Sequence, residues 1–146
     1  MVNKGILIIG GGLLQHYAIN IARKRGLNIH LTDGSDNCYC NKLADYFYKV
    51  DTKDYKKTSE LAIKLKNQND IHSIYTQGTD VAFTVAYCAH KTNLPGLNPD
   101  IAWLTENKIK MREKLFNSGI DKTKFMVVKD IEQLYEYKNN INLPCY

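Results

Sequence analysis

With 146 residues, 44% of them apolar and 24% charged, the chain has the size and make-up of one ordinary globular domain. No apolar run approaches the ~20 residues of a membrane span, and residues 1–4 lead into no signal-peptide pattern, so a cytoplasmic protein without a membrane partner is expected. The net charge of +5 is spread over many segments rather than gathered in a basic stripe with interleaved aromatics. That argues against a nucleic-acid partner and stays compatible with attraction of an anionic small molecule.

In chain order, Gly5-Ile6-Leu7-Ile8-Ile9 is a short continuous apolar run ending at Gly10-Gly11-Gly12. Runs of this kind mark strands buried on both faces, as in parallel sheets. Leu13, Leu14, Tyr17, Ala18, Ile21 and Ala22 then recur at three- and four-residue steps, which predicts a helix with those residues on its apolar face. Gly26 is placed to stop that helix. Residues 27–32 read as a second strand, closing at Asp33-Gly34, so the first stretch is a βαβ unit.

Residues 35–41 read as a loop and 46–50 as a third strand. Asp54 is placed to cap a helix with Tyr55, Thr58, Leu61, Ala62 and Leu65 on one face and the lysines at 53, 56, 57, 64 and 66 toward water. Residues 71–76 read as a fourth strand, closing at Gln77-Gly78-Thr79-Asp80. The apolar stretch 81–90 suits a helix in the interior. After the connector at 94–99 come short helices at 99–104 and 106–117, the second stopped by Gly119. A strand is expected at 125–128, and a helix opened by a capping box of Asp130 and Gln133. The alternation predicts an α/β fold, a Rossmann-like parallel sheet covered by helices on both faces.

Two glycine-bearing turns fall at strand carboxyl ends, where such sheets bind ligands. Gly10 and Gly12 fit two-thirds of a dinucleotide fingerprint, but Gln15 stands where its third glycine belongs. Asp33 lies where a ribose-binding acid would sit. The turn either cradles an anion on free N–H groups or is simply tight enough to need glycine. Thr79 or Asp80 either faces a substrate or caps the following helix. Cys38 and Cys40 lack partners for a zinc site, Cys88 reads as a core residue, and no metal site is expected.

These segments together resemble the N-terminal, pre-ATP-grasp domain of the ATP-grasp superfamily, which includes the carbamoyl-phosphate synthetase large chain, biotin carboxylase and the carboxylate–amine ligases. The resemblance rests on residues 6–15, on Leu43-Ala44-Asp45-Tyr46-Phe47-Tyr48-Lys49-Val50-Asp51, and on Gly78-Thr79-Asp80 and Asn93-Leu94-Pro95-Gly96. It rests above all on Asn107-Lys108-x-x-Met111-Arg112-x-x-Leu115 followed by Ser118-Gly119-Ile120. It implies a pre-ATP-grasp domain at 1–97, a helical linker at 98–120 and the start of the ATP-grasp domain at 121–146. It implies a substrate pocket formed with Gly10, Gly11, Gly12, Gln15, Asp33, Gly78, Thr79 and Asp80, and a nucleotide-phosphate contact from Lys108.

By the same resemblance the intact enzyme uses ATP and magnesium to activate a small-molecule carboxylate as an acyl phosphate for attack by an amine. In this family a segment like Asn142-Leu143-Pro144 leads into a strand whose lysine binds ATP, and this chain stops at Tyr146 before it. The expectation is therefore a front portion that holds no catalytic residue, binds no cofactor tightly and does not catalyse alone. Dimers are common in the family. Two other readings stand beside it: a dinucleotide-binding regulatory domain and a non-catalytic interaction module.

Overall fold

The computed structural model describes residues 4–138. The chain divides into two units, Met1–Asn107 and a second from Lys108 onward. The first holds a four-stranded sheet of β1 (Gly5–Ile9), β2 (Asn28–Asp33), β3 (Tyr46–Lys49) and β4 (Ser73–Tyr75). All pairings are parallel and the order is β3-β2-β1-β4. The chain thus steps outward from β1 through β2 to β3, then returns to the far side of β1. The carboxyl ends of β1 and β4 therefore flank the point where strand order reverses.

Each sheet face has its own core. Helix α1 (Gln15–Lys24) and a single 3₁₀ turn at Asn41–Leu43 cover one face. There Ile19 and Ala22 pack with Ile8, Ile29, Leu31 and Cys40. Helices α2 (Tyr55–Asn67) and α3 (Ala82–Lys91) cover the other, where Ala62, Leu65, Val81 and Cys88 pack with Leu7, Ile9 and Ile74. Fully burying each such side chain contributes roughly 1.5–3 kcal/mol. Burial pushes the Cys88 thiol up to about 12, so it is a packing residue, as its apolar setting suggested. Helix α4 (Pro99–Glu106), with Asn98 as its cap, packs on α3.

Local signals behave as their chemistry requires. Asp54 caps α2, accepting the N–H of Lys57 at 3.1 Å. The α2 face bearing Thr58, Ala62 and Leu65 is buried, as its spacing predicts. Asp45 accepts the Ile29 N–H at 2.7 Å and pairs with Arg23 at 3.0 Å, tying β2 to α1.

Three expectations are corrected. On α1 the buried residues are Gln15, Ile19 and Ala22, while Leu13, Leu14, Tyr17 and Ile21 are about half exposed or more. Both sets have helical spacing and share Ala22, and the bonds from Gln15 to the turn after β4, not hydrophobicity, accompany the choice of face. Neither Thr79 nor Asp80 caps α3. Its preceding residue is Val81, which supplies no side-chain cap, and the Phe83 N–H instead donates to Glu106 Oε1 at 2.6 Å. Residues 125–128 form no strand: among the described residues they pair with no other segment.

The second unit contains α5 (Lys108–Asn117) and α6 (Ile131–Tyr137). Gly119, with φ of +69°, follows α5, and Arg112 pairs with Asp121 at 2.5 Å. Asp130 caps α6, accepting the Gln133 N–H at 2.8 Å, but the Gln133 side chain accepts from the Lys129 N–H at 3.2 Å rather than from that of Asp130, so the expected capping box is only half made. The segment Asn142-Leu143-Pro144 lies outside the described residues. Among the described residues no helix is long and apolar enough to cross a membrane.

Two features of the sheet have measurable consequences. A Cβ on Gly5 would stand 2.1 Å from the backbone oxygen of Asp70, which no rotamer can relieve. Gly5→Ala is expected to cost about 1–3 kcal/mol in urea unfolding, and an unchanged midpoint would contradict that packing. His30 is buried and stacked on Tyr46, with ring centroids 4.7 Å apart. Its Nδ1 lies 3.0 Å from the Tyr48 hydroxyl. Burial lowers its pKa below the ordinary 6.5, against the opposing pull of the Asp70 and Asp45 carboxylates. The fold thus favours neutral His30, and the unfolded chain binds the extra proton. This contribution is present above pH 6.5 and is lost as pH falls through the lowered folded value. His30→Phe is expected to flatten that part of the stability–pH curve, and an equally steep curve in the variant would contradict it.

Candidate functional site

The site lies at the carboxyl edge of the sheet, at the reversal point between β1 and β4. Gly10 ends β1 with φ of +97°, a conformation L side chains avoid. Its N–H donates to Thr32 O at 2.8 Å, anchoring the turn to β2. Asp33 holds the next residue: its Oδ2 accepts the Gly11 N–H at 2.7 Å and its Oδ1 the Ser35 N–H at 2.9 Å. Both carboxylate oxygens therefore serve the backbone of the turn and of the loop after β2.

That loop is stitched to the glycines. The Cys40 N–H donates to Gly11 O at 2.8 Å and its thiol to Gly12 O at 3.2 Å. A Cβ on Gly11 would meet Cys38 Sγ at 2.3 Å, so only glycine fits beneath that sulfur. Burial raises the pKa of both thiols, with Asp33 adding to the rise at Cys38. They are protonated packing groups. Sequence reasoning missed this role because it depends on a contact between segments about 28 residues apart.

Gln15 joins the glycine turn to the turn after β4. It is fully buried at the first position of α1. Its Nε2 donates to Gln77 O at 2.6 Å and to Thr76 Oγ1 at 3.3 Å. Thr76 has one hydroxyl proton, given to Ile9 O at 2.7 Å, so the Thr79 hydroxyl at 2.6 Å must donate to it. Gly10 approaches the Thr79 methyl, and a Cβ on Gly78 would strike Leu14 at 2.2 Å. The two turns are thus in direct contact. Only the Oε1 of Gln15 is left buried and without a partner in this network.

Of the eight residues expected at the pocket, the structure gathers Gly10, Gly11, Gly12, Gln15, Asp33, Gly78 and Thr79 around this junction. Asp80 lies beyond it, facing a cleft of about 300 Å³ lined also by Lys53, Phe83, Thr84 and Glu106. Lys108, in the second unit, is the exposed first residue of α5. The first turn of α5 contains no acidic residue.

At the amino end of α1 no side chain accepts a first-turn N–H, whereas Asp54, Glu106 and Asn98 do so at α2, α3 and α4. The Gln15 N–H turns back to Gly12 O at 3.1 Å, so the coil effectively begins at Gly12. The N–H groups of Gly12, Leu13 and Leu14 have no acceptor among the described residues. All three residues are exposed, and the space beside Gly12 is open. The arrangement presents preset donors at the positive end of a helix, the chemistry of an anion site. Among the described residues no group of three His, Cys, Asp or Glu is placed to hold a metal ion.

No protein-family model matches the sequence, and no curated protein matches it. Solved structures do match its fold. Phosphoribosylglycinamide synthetase from Anaerococcus prevotii superposes with a TM-score of 0.73 at 26% identity, over 97% of this chain and 36% of that one. N5-carboxyaminoimidazole synthetase from Staphylococcus aureus, solved with ADP, gives 0.71 at 22% identity, over 94% and 35%. L-amino acid ligase from Bacillus licheniformis gives 0.69 at 17%, over 96% and 42%. The chain spans roughly a third of the length of the first two, matching their front portion. It carries the N-terminal, Rossmann-like fold of the ATP-grasp ligases, as the sequence resemblance implied.

Proposed function

We propose that the first unit is the substrate side of an ATP-dependent carboxylate–amine ligase, and that ligation requires the further length such enzymes have. The observation that carries the reading is the amino end of α1: three unfilled backbone donors at the reversal point of the sheet. Gly12, Leu13 and Leu14 would hold an anionic group of the substrate there. Gly10, Gly11, Gln15, Asp33, Gly78 and Thr79 would hold those donors in place. Asp33 favours this reading over a dinucleotide sensor, because both of its oxygens are engaged by backbone N–H groups.

Lys108 would contribute to binding of nucleotide phosphate. It is the first residue of α5, whose first turn holds no acid and where the helix already presents positive potential. An isolated helix would gain from acids there, so the arrangement suits an external anion. ATP would supply the phosphoryl group that activates the carboxylate. The described residues offer no cluster for magnesium, so no side chain of theirs is assigned to it.

The test is an amide NMR titration of the 146-residue chain with acetate at constant ionic strength, compared with Gly12→Asp. The open space at Gly12 admits the new side chain, whose carboxylate would cap α1 from within. Acetate is expected to shift the amides of Gly12, Leu13 and Leu14 in the native chain and not in the variant. The variant should be unchanged in stability or gain about 0.3–1 kcal/mol. Equal acetate shifts in both proteins, or none in the native chain, would contradict the reading.

A further inference from the structure

The strand order β3-β2-β1-β4 leaves β3 at one edge of the sheet, and among the described residues it pairs with β2 alone. The chain there, residues 45–49, is Asp-Tyr-Phe-Tyr-Lys. About Phe47 this run is symmetric in shape and opposite in charge, with a tyrosine on either side, an acid before and a base after. A two-fold dimer needs one patch that complements itself, residue i meeting j while j meets i. Antiparallel pairing of this run with a second copy has that property. Phe47 meets Phe47, Tyr46 meets Tyr48, and Asp45 meets Lys49.

The backbone has the phase that such pairing needs. In a parallel ladder alternate residues turn their N–H and C=O toward a given neighbour. The Val50 N–H donates to Asp33 O at 3.1 Å, which assigns the even-numbered residues of β3 to β2. Phe47 therefore turns its N–H and C=O outward, where two copies of it can exchange both bonds at the axis.

The side chains agree on both faces. Tyr46 is 51% exposed and stacks on His30, with Tyr48 on the same ring at 6.0 Å. Setting Tyr46 beside Tyr48 of a second copy continues this row of rings across the axis. That pair falls between hydrogen-bonded positions, where facing side chains stand closest. On the other face Lys49 already pairs with Asp36, and Asp45 with Arg23 and the Ile29 N–H. Across the axis these charges match signs rather than add a strong ion pair. Sliding the strands by two residues would set Asp45 against Asp51, so charge selects the register. A lysine ordinarily protects an edge strand from pairing. Here the one lysine of the edge finds an acid opposite.

We propose that a second copy of this chain pairs antiparallel with β3 about a two-fold axis at Phe47, joining the two sheets into one. The inference is independent of the ligase reading. The interface is at the small end of specific contacts, so the dimer forms reversibly as concentration rises.

The experiment follows the 146-residue chain by sedimentation velocity from about 10 μM to about 1 mM, the range in which so small an interface associates. Amide hydrogen exchange is read at both ends of that range. The chain should pass from monomer to dimer, and the Phe47 amide from unprotected to protected, while the Tyr48 amide is protected throughout. Lys49→Asp places acid against acid twice in each dimer and should weaken association about tenfold or more. Lys49 is exposed, and an unchanged amide spectrum away from β3 will verify that the variant folds. Tyr46→Ser, at a half-exposed ring, should weaken association as well. A monomer at every concentration would overturn the proposal. So would a dimer in which Phe47 stays unprotected, or one that Lys49→Asp leaves as tight, since the contact would then lie on another surface, such as the exposed apolar segment 125–128.

Discussion

The amide of Gln15 is the contact on which the carboxyl edge of this sheet depends. It starts at the first position of α1 and reaches across to the backbone of Gln77, 62 residues on. In doing so it closes the space between β1 and β4, strands that the chain lays side by side only after crossing the sheet twice. Hydrogen bonds from Thr76 to Ile9 and from Thr79 to Thr76 continue the seam. A buried amide that satisfies its N–H protons but not its oxygen is costly.

The same contact explains the orientation of α1. With Gln15 turned inward, the positions one helical turn and two turns later, Ile19 and Ala22, must follow it onto the sheet. The more hydrophobic set, Leu13, Tyr17 and Ile21, is then left toward solvent. The entry of the helix is fixed independently by Asp33 beneath Gly11 and by Cys38 and Cys40 over the glycines. These contacts use side chains from β2 and its loop to hold the turn, while leaving the donors of Gly12, Leu13 and Leu14 without a partner among the described residues.

Much of the fold was legible because it is local. β1 is a short apolar run, and Asp54 and Asp130 announce α2 and α6 within a few residues of the groups they cap. The glycine turn was readable as a turn, and so was its place at a strand end. The face of α1 was not, since two sets of residues share the helical period and a distant turn chooses between them. Nor was the cap of α3, which comes from Glu106, 23 residues away. The apolar segment at 125–128 has strand composition, but a strand also needs a neighbour, and composition does not report one. Asp33 was found for its position, while its two bonds to the backbone of the turn and loop depend on the folded geometry.

The central claim is that the amino end of α1 is held open by the fold. Amide hydrogen exchange, read residue by residue on the unliganded chain, tests it most directly. The Gly11 amide, bonded to Asp33, should be protected, and the amides of Gly12, Leu13 and Leu14 should exchange close to the rate of an unstructured peptide. Protection at Gly12, Leu13 and Leu14 equal to that at Gly11 would mean that the protein already fills those donors, and the account of the site would fail.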